Sequence, residues 1–284
     1  MRERGGYVTY GYGRVLRVCG GLVACGVILA GAAGCSDAGG GDEGKRPADK
    51  ASSSETPNAS QPAPTSVPTK LGFTADPKRA PKTEADAKRL ALEVVAGPES
   101  WGSDYVKRTP YLSGDDYWPV LDTGCTWEAG TRPRGVLHSV TAYSEVPAAE
   151  GKGLLRVSAT VTVHRTESDA DWEMAETLEE ALRCPDQRLR DGERISGLLS
   201  LGSPFGVGGN FTAVDSLREA GTYLNDAVKG EQTYSWYQSR VGQVTVAAVV
   251  KGAPGHIAKD IDRAQVQALV AMVGRAEDRL EAQQ

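Results

Sequence analysis

Residues 36–70 carry one large aliphatic side chain, Val67, in a run dominated by Ser, Gly, Pro, Ala, Asp, Lys and Thr. The run holds Gly39-Gly40-Gly41, Ser52-Ser53-Ser54 and a proline every few residues from Pro57 onward. Such a segment cannot bury enough apolar area to offset the entropy of ordering it. As a flexible coil it spans roughly 30–35 Å. Any fold is therefore confined to residues 71–284, where no second low-complexity gap occurs and the length suits one domain.

In front of this tether lies a different kind of segment. Arg14 and Arg17 are followed by an uncharged stretch from residue 18 to 34 (VCGGLVACGVILAGAAG). That is short for a membrane span, which needs ~20 apolar residues, and it is diluted by Gly and Ala. It ends at Ala32-Ala33-Gly34-Cys35, which resembles a bacterial lipoprotein box, with Ala32 where the family most often has Leu. The resemblance implies residues 1–34 as a signal peptide, cleaved before a Cys35 acylated with palmitate-type chains. Residues 35–70 then form a lipidated cysteine and its tether. An ordinary secretory signal is the alternative. Removing residues 1–34 takes four arginines and one glutamate, so the net charge moves from −5 to −8. An acidic body stands off an anionic lipid surface and offers no basic face to nucleic acid.

Within 71–284, Thr83 and Asp86 form a capping-box pattern ahead of Ala87, Leu90, Ala91 and Val94, which recur at helical spacing until Gly97-Pro98. A loop-rich aromatic stretch follows, from Trp101 to Trp127. Residues 136–145 and 154–164 alternate as a strand pair joined by a hairpin connection. Ser168 is the expected cap of a second helix to about Arg183, with Trp172, Ala175, Leu178 and Leu182 on its apolar side and acidic residues opposite. Residues 197–210 (GLLSLGSPFGVGGN) read as a flexible glycine-rich connection. Residues 232–240 and 243–251 form the clearest hairpin, turning near Val241-Gly242. Residues 259–280 close the chain as an amphipathic helix through Ile261, Val266, Leu269, Val270, Val273 and Leu280. Strands in hairpins with separate helices predict an α+β fold, a twisted antiparallel sheet with helices packed mainly on one face.

Three cysteines lie in the leader or at its cleavage point, leaving Cys125 and Cys184. An even pair in an oxidising compartment predicts a Cys125–Cys184 disulfide. Two free buried thiols or a redox pair are the alternatives, although C-x-x-C spacing is absent.

Catalytic motifs are missing. Gly197 to Gly202 has the wrong spacing for G-x-S-x-G, and the glycine run at 202–209 lacks the lysine of a phosphate loop. His138, His164 and His256 are far apart, so no metal site or other cofactor is expected, although His138 and His164 sit on adjacent predicted strands and could face each other. Asp115-Asp116 and Glu179-Glu180 read as solvated charges. The aromatic residues divide between core and cleft, since with three phenylalanines Trp and Tyr must do much of the packing. Tyr234 and Trp236 share one strand face and Tyr237 takes the other. Trp127, Tyr234, Trp236 and Tyr237 are the candidate ligand-binding residues, in a cleft between the Trp236 hairpin and the Cys125–Trp127 loop.

Trp172 with Cys184 at the end of the central helix, and the late hairpin at 237–250, are loosely similar to the PknH-like extracellular sensor domain. The whole order of segments resembles an actinobacterial surface lipoprotein. The resemblance spans roughly residues 85–280 and departs in having cysteines for one disulfide where that family typically has two. It implies a twisted antiparallel sheet with a cleft for an extracellular ligand, and no catalysis. The expected function is a membrane-anchored lipoprotein at the outer face of the cytoplasmic membrane that binds a small molecule or an envelope protein. An envelope hydrolase with a scattered active site, or a purely structural or interaction protein, are the alternatives.

Overall fold

A computed structural model describes residues 73–204 and 215–282. The expected leader, Cys35, the tether and the second half of the glycine-rich segment lie outside the described residues. The described part belongs to one unit, Pro64–Gln284.

The chain runs α1 (Glu84–Val94), a short 3-10 turn (Pro98–Ser100), β1 (Val106–Leu112), β2 (Pro119–Leu121), β3 (Trp127–Ala129), β4 (Val136–Val146) and β5 (Leu155–His164). It continues through α2 (Glu167–Arg183), β6 (Gln187–Arg190), β7 (Glu193–Pro204), β8 (Asp215–Asn225), β9 (Val228–Val241), β10 (Val244–Lys251) and α3 (Ala258–Leu280). Eight strands form a curled antiparallel sheet in the order β1-β4-β5-β10-β9-β8-β7-β6, and β2 and β3 form a separate hairpin. This is the α+β architecture that the hairpin pattern predicts.

Strand alternation gives the sheet two unlike faces. On β5 the residues Val157, Ala159, Val161 and Val163 point one way, and each lies opposite its partner on β10, Val250, Ala248, Val246 and Val244. These side chains form the main core with α1 and α3. The small residues Ala142, Ala159 and Ala248 lie in one cross-strand row, which gives room to α1 over β4 and β5 and to α3 over β10. One polar anchor is built into this apolar layer. Gln265 on α3 donates to the backbone oxygens of Ser235 and Ala248, at 3.2 and 2.7 Å, and accepts from the Ser235 hydroxyl. A buried amide satisfied this fully fixes how α3 lies on the sheet.

The opposite face is built from hydroxyls and charges along β4 and β5, with a smaller apolar cluster of Ile195, Leu198, Tyr223, Tyr234 and Val249 beyond them. β4 contributes Ser139, Thr141 and Tyr143, and β5 contributes Arg156, Ser158, Thr160 and Thr162. Ser139 and Thr162 pair across the strands at 3.0 Å, and Thr141 and Thr160 at 2.9 Å. Such pairs stabilise a sheet locally without making an apolar surface. α2 lies over this polar face, so two helices cover one side and the third covers the other.

Several local expectations hold and others are corrected. Thr83 caps α1 as its spacing predicts, accepting from the Asp86 N–H at 3.1 Å and donating to the Asp86 carboxylate at 2.7 Å. α2 is capped by Thr166 rather than Ser168. The same reciprocal pattern links Thr166 to Asp169, and the helix starts two residues earlier than expected. The expected apolar side of α2 faces out: Trp172 and Leu182 are 72% and 74% exposed, and Ala170, Met174 and Ala181 are buried instead. The aromatic stretch is not loop alone, since it contains β1, β2 and β3. Residues 197–204 are not a flexible connection but the body of β7, which pairs with β8 on both sides of a register shift between Ser196 and Leu199. In α3, Val270 is more exposed than the helical pattern suggests, whereas Ile261, Leu269, Val273 and Leu280 are buried.

Glycine is required at two turns. Gly242, in the two-residue link between β9 and β10, has φ +56°. Gly255 has φ +78°, and a Cβ there would lie 1.9 Å from the Gly151 carbonyl oxygen. Both the backbone conformation and the contact exclude a side chain at Gly255.

Candidate functional site

Between the polar face of the sheet, α2 and the β2–β3 hairpin lies a cavity of about 570 Å³. That volume falls in the range of small-molecule pockets. Its walls come from elements far apart in sequence, and each is tied down separately.

The β2–β3 hairpin is fastened to the end of α2. Cys125 and Cys184 form a disulfide with a Cα separation of 5.5 Å, as their pairing in the sequence predicts. Cys184 caps α2, and Cys125 is the non-glycine residue with positive φ (60°) among the described residues. Asp122 shapes the turn by accepting from the N–H groups of Gly124 and Thr126 at 2.9 and 2.7 Å. Arg183 donates to the Asp122 carbonyl at 3.0 Å, and Trp127 Nε1 donates to Gln187 Oε1 at 2.8 Å. The hairpin thus presents Trp118, Leu121 and Trp127 to the cavity as a fixed wall.

α2 is clamped to the sheet through its acidic side. Glu173 accepts from Gln238 Nε2 and from the Thr245 hydroxyl, each at 3.0 Å, and His164 Nε2 lies 2.6 Å from its Oε2. Two residues earlier, Asp171 lies 2.8 Å from Arg240 Nε, which also donates to Asp215 at 3.2 Å. His164 therefore faces α2, whereas His138 lies on the other side of the sheet near Glu84, Lys88 and Asp115. The two histidines do not face each other. Among the described residues no group of His, Cys, Asp or Glu is placed to hold a metal ion.

Further along α2 the carboxylates have fewer partners. Glu176 and Glu180 line the cavity, and Glu219 on β8 faces them from the sheet. Glu219 is only 5% exposed, and its Oε1 is buried with no hydrogen-bond partner. Burial pushes the Glu219 carboxyl up to about 7, against the opposing pull of the Ser200 hydroxyl. Burial, reinforced by Glu176 and Glu219, pushes Glu180 up to about 8 despite Arg183. Burial also raises Glu176, with Glu173 and Glu179 adding to it. The Glu179-Glu180 pair is thus not simply solvated: Glu180 turns inward, because the helix face toward the sheet covers a polar cavity.

The far end of the cavity has the opposite charge. Arg156, Arg190 and Lys251 all contact the carboxylate of Glu193, which is 6% exposed; Lys251 donates at 3.0 Å, Arg156 lies at 3.8 Å, and Arg190 makes a short contact. Burial acts to raise Glu193, but hydrogen bonds and charge from Arg190 and Lys251 outweigh it and hold the group at about 2. Burial lowers Lys251, against the pull of Glu193. Arg108 reaches the same cavity and lies 5.4 Å from the Tyr143 ring.

Of the aromatic candidates, Trp127, Tyr234 and Trp236 line the cavity together. Trp236 Nε1 donates to Gln238 Oε1 at 3.3 Å, and Tyr234 is buried beside Glu219 and Glu180. Tyr237 does not join them. It is 1% exposed in the core under α3, and its hydroxyl donates to Asp262. Alternation along β9 sends it to the opposite face from Trp236. The charged residues were missed as site residues because no local motif gathers them. The available signal was the regular Ser/Thr spacing on both β4 and β5, which marks a sheet whose second face is not core.

No protein-family profile and no curated protein sequence matches the chain. The functional reading therefore rests on the site itself.

Proposed function

We propose that the chain is a non-catalytic ligand-binding or sensor lipoprotein, anchored through Cys35 at the outer face of the cytoplasmic membrane and presenting this cavity to extracytoplasmic small molecules. The observation that carries the binding reading is the cavity of about 570 Å³, which combines Trp127, Tyr234 and Trp236 with charged side chains at both ends. Aromatic walls with a few convergent polar groups are the usual make-up of a small-molecule site. The anchor reading is supported by Ala32-Ala33-Gly34-Cys35 and by the polar tether behind it. Among the described residues no helix is long and apolar enough to cross a membrane.

A carboxylate-dependent hydrolase is the second reading, favoured by the convergence of Glu176, Glu180 and Glu219. Acid–base chemistry by a carboxylate pair calls for one group kept protonated beside one kept ionised. Here burial raises all three together rather than setting one apart from another.

Mass spectrometry of small molecules co-purified with the protein, repeated with Trp236→Ala, tests the site. The expected result is a ligand retained by the native protein and lost from the variant. An identical ligand set in both would refute the placement of the site. Mass spectrometry of the mature N-terminus tests the anchor, and an unmodified Cys35 or a start elsewhere would refute it.

A further inference from the structure

The sheet register places the two charged ends of the cavity on a simple grid. Arg156, Lys251 and Tyr234 lie in one cross-strand row on β5, β10 and β9. Ser158, Val249, Trp236 and Glu219 lie in the next, on β5, β10, β9 and β8. Lys251 and Glu219 are thus two strands and one two-residue step apart. At ~4.8 Å per strand and ~3.4 Å per residue, their backbones are about 12 Å apart. Trp236 and Tyr234 fill the ground between them.

Each end has unused capacity. At the acidic end, Glu219 Oε1 and the Ser200 hydroxyl beside it on β7 are both buried without a hydrogen-bond partner, and Glu176 and Glu180 share that region. A buried carboxylate oxygen without a partner is costly unless something supplies an N–H or O–H group. At the basic end, three cations share the carboxylate of Glu193, and Arg156 Nε is buried without an acceptor. A ligand with one charge would satisfy one end and leave the other as it stands.

Resting on the ligand-binding reading above, we infer that the cavity takes an elongated dipolar ligand, with a primary ammonium group at Glu219, Glu180 and Glu176 and an anionic group at Arg156, Arg190 and Lys251. The aliphatic or amphipathic body of the ligand lies across Trp236 and Tyr234. A primary ammonium fits better than a quaternary one, because Glu219 needs a hydrogen-bond donor and not charge alone. The anion is a carboxylate or a phosphate, since an arginine fork donates to either.

Isothermal titration calorimetry of the purified protein with straight-chain ω-amino acids, from 4-aminobutanoate to 10-aminodecanoate, tests the inference. Hexylamine and hexanoate serve as singly charged controls, and N-phenyl-1-naphthylamine as a neutral probe of the cavity. Affinity is expected to pass through an optimum at intermediate chain length and to exceed both controls by at least tenfold. In Glu219→Gln the best amino acid should bind no better than hexanoate, and in Arg156→Gln no better than hexylamine. Glu180→Gln is a second route to the acidic end if the first variant folds poorly. Affinity rising steadily with chain length, or matching the singly charged controls, would overturn the charge assignment. Binding of the neutral probe alone would overturn it too, while leaving the cavity as a binding site. Failure of every probe would remove both readings together.

Discussion

Glu219→Gln should leave stability unchanged in acid and raise it in alkali, and the size of the gain follows from where the carboxyl sits. In the unfolded chain this group titrates near 4.5; in the folded protein burial raises it to about 7. Between those values the folded state holds a proton that the unfolded state has released, so stability falls as pH rises through the window. Above about 7 the loss is complete and constant. At about 1.4 kcal/mol for each factor of ten in proton affinity, the folded protein carries a penalty of about 3 kcal/mol at pH 8 and above. Glutamine keeps the shape and removes the titration. Urea denaturation of both proteins from pH 4 to 9, with the disulfide intact, should give coincident stabilities near pH 4 and curves that diverge to about 3 kcal/mol by pH 8. Curves that remain parallel across the range would show that Glu219 ionises as freely folded as unfolded, which would refute its burial without a partner.

Three further outcomes follow from the packing. Reducing the Cys125–Cys184 bond, or replacing both residues with Ala, reopens a loop with a sequence separation of 59 and should cost about 4 kcal/mol on the chain-entropy model, measured as the shift of the denaturation midpoint between oxidised and reduced protein. Tyr237→Phe removes a hydroxyl that donates to Asp262 on the core side of the sheet, so it should cost about 1 kcal/mol of stability and leave the affinity of any cavity ligand unchanged by calorimetry. Gly255→Ala meets both a positive φ and the Gly151 carbonyl, and thermal melting should show a loss larger than the ~1 kcal/mol of an ordinary glycine-to-alanine clash of backbone preference.

The elements legible in the sequence are those whose two sides differ in polarity in the usual sense. α1 shows its capping threonine and its Ala87, Leu90, Ala91 and Val94 stripe. β5 and β10 show strict alternation or near-continuous valine, because one face carries the main core. β6, β7 and β8 were not visible for a physical reason. Their inward positions mix Ser200, Glu219 and Gly221 with Ile195, Leu217 and Tyr223, and Leu199 and Leu201 point to solvent, so no clean alternation of polarity marks them. α2 misled in the same way. A helix covering a charged cavity turns Glu173 and Glu180 inward and leaves Trp172 outside, and amphipathicity alone cannot tell that arrangement from a helix on a core. Trp127, Tyr234 and Trp236 come together on the cavity wall because alternation on β9 and the disulfide constrain them. The charged groups were not found, because only the strand register brings Arg156, Lys251 and Glu219 onto one surface.

The curled sheet also has two borders, β1 and β6, since it does not close on itself, and β6 is partly covered by the Cys125–Thr126 segment, to which the Arg188 N–H donates at 2.8 Å. An open border is a template on which a second copy can add its own strand. β6 is four residues long and carries Arg188 and Arg190; β1 carries Lys107 and Arg108 and is interrupted by Pro110, which has no N–H to offer. Short length, repelling cations and a missing donor each discourage edge-to-edge growth. Copies brought side by side at high concentration would therefore stay separate, without their strands recruiting one another into aggregates.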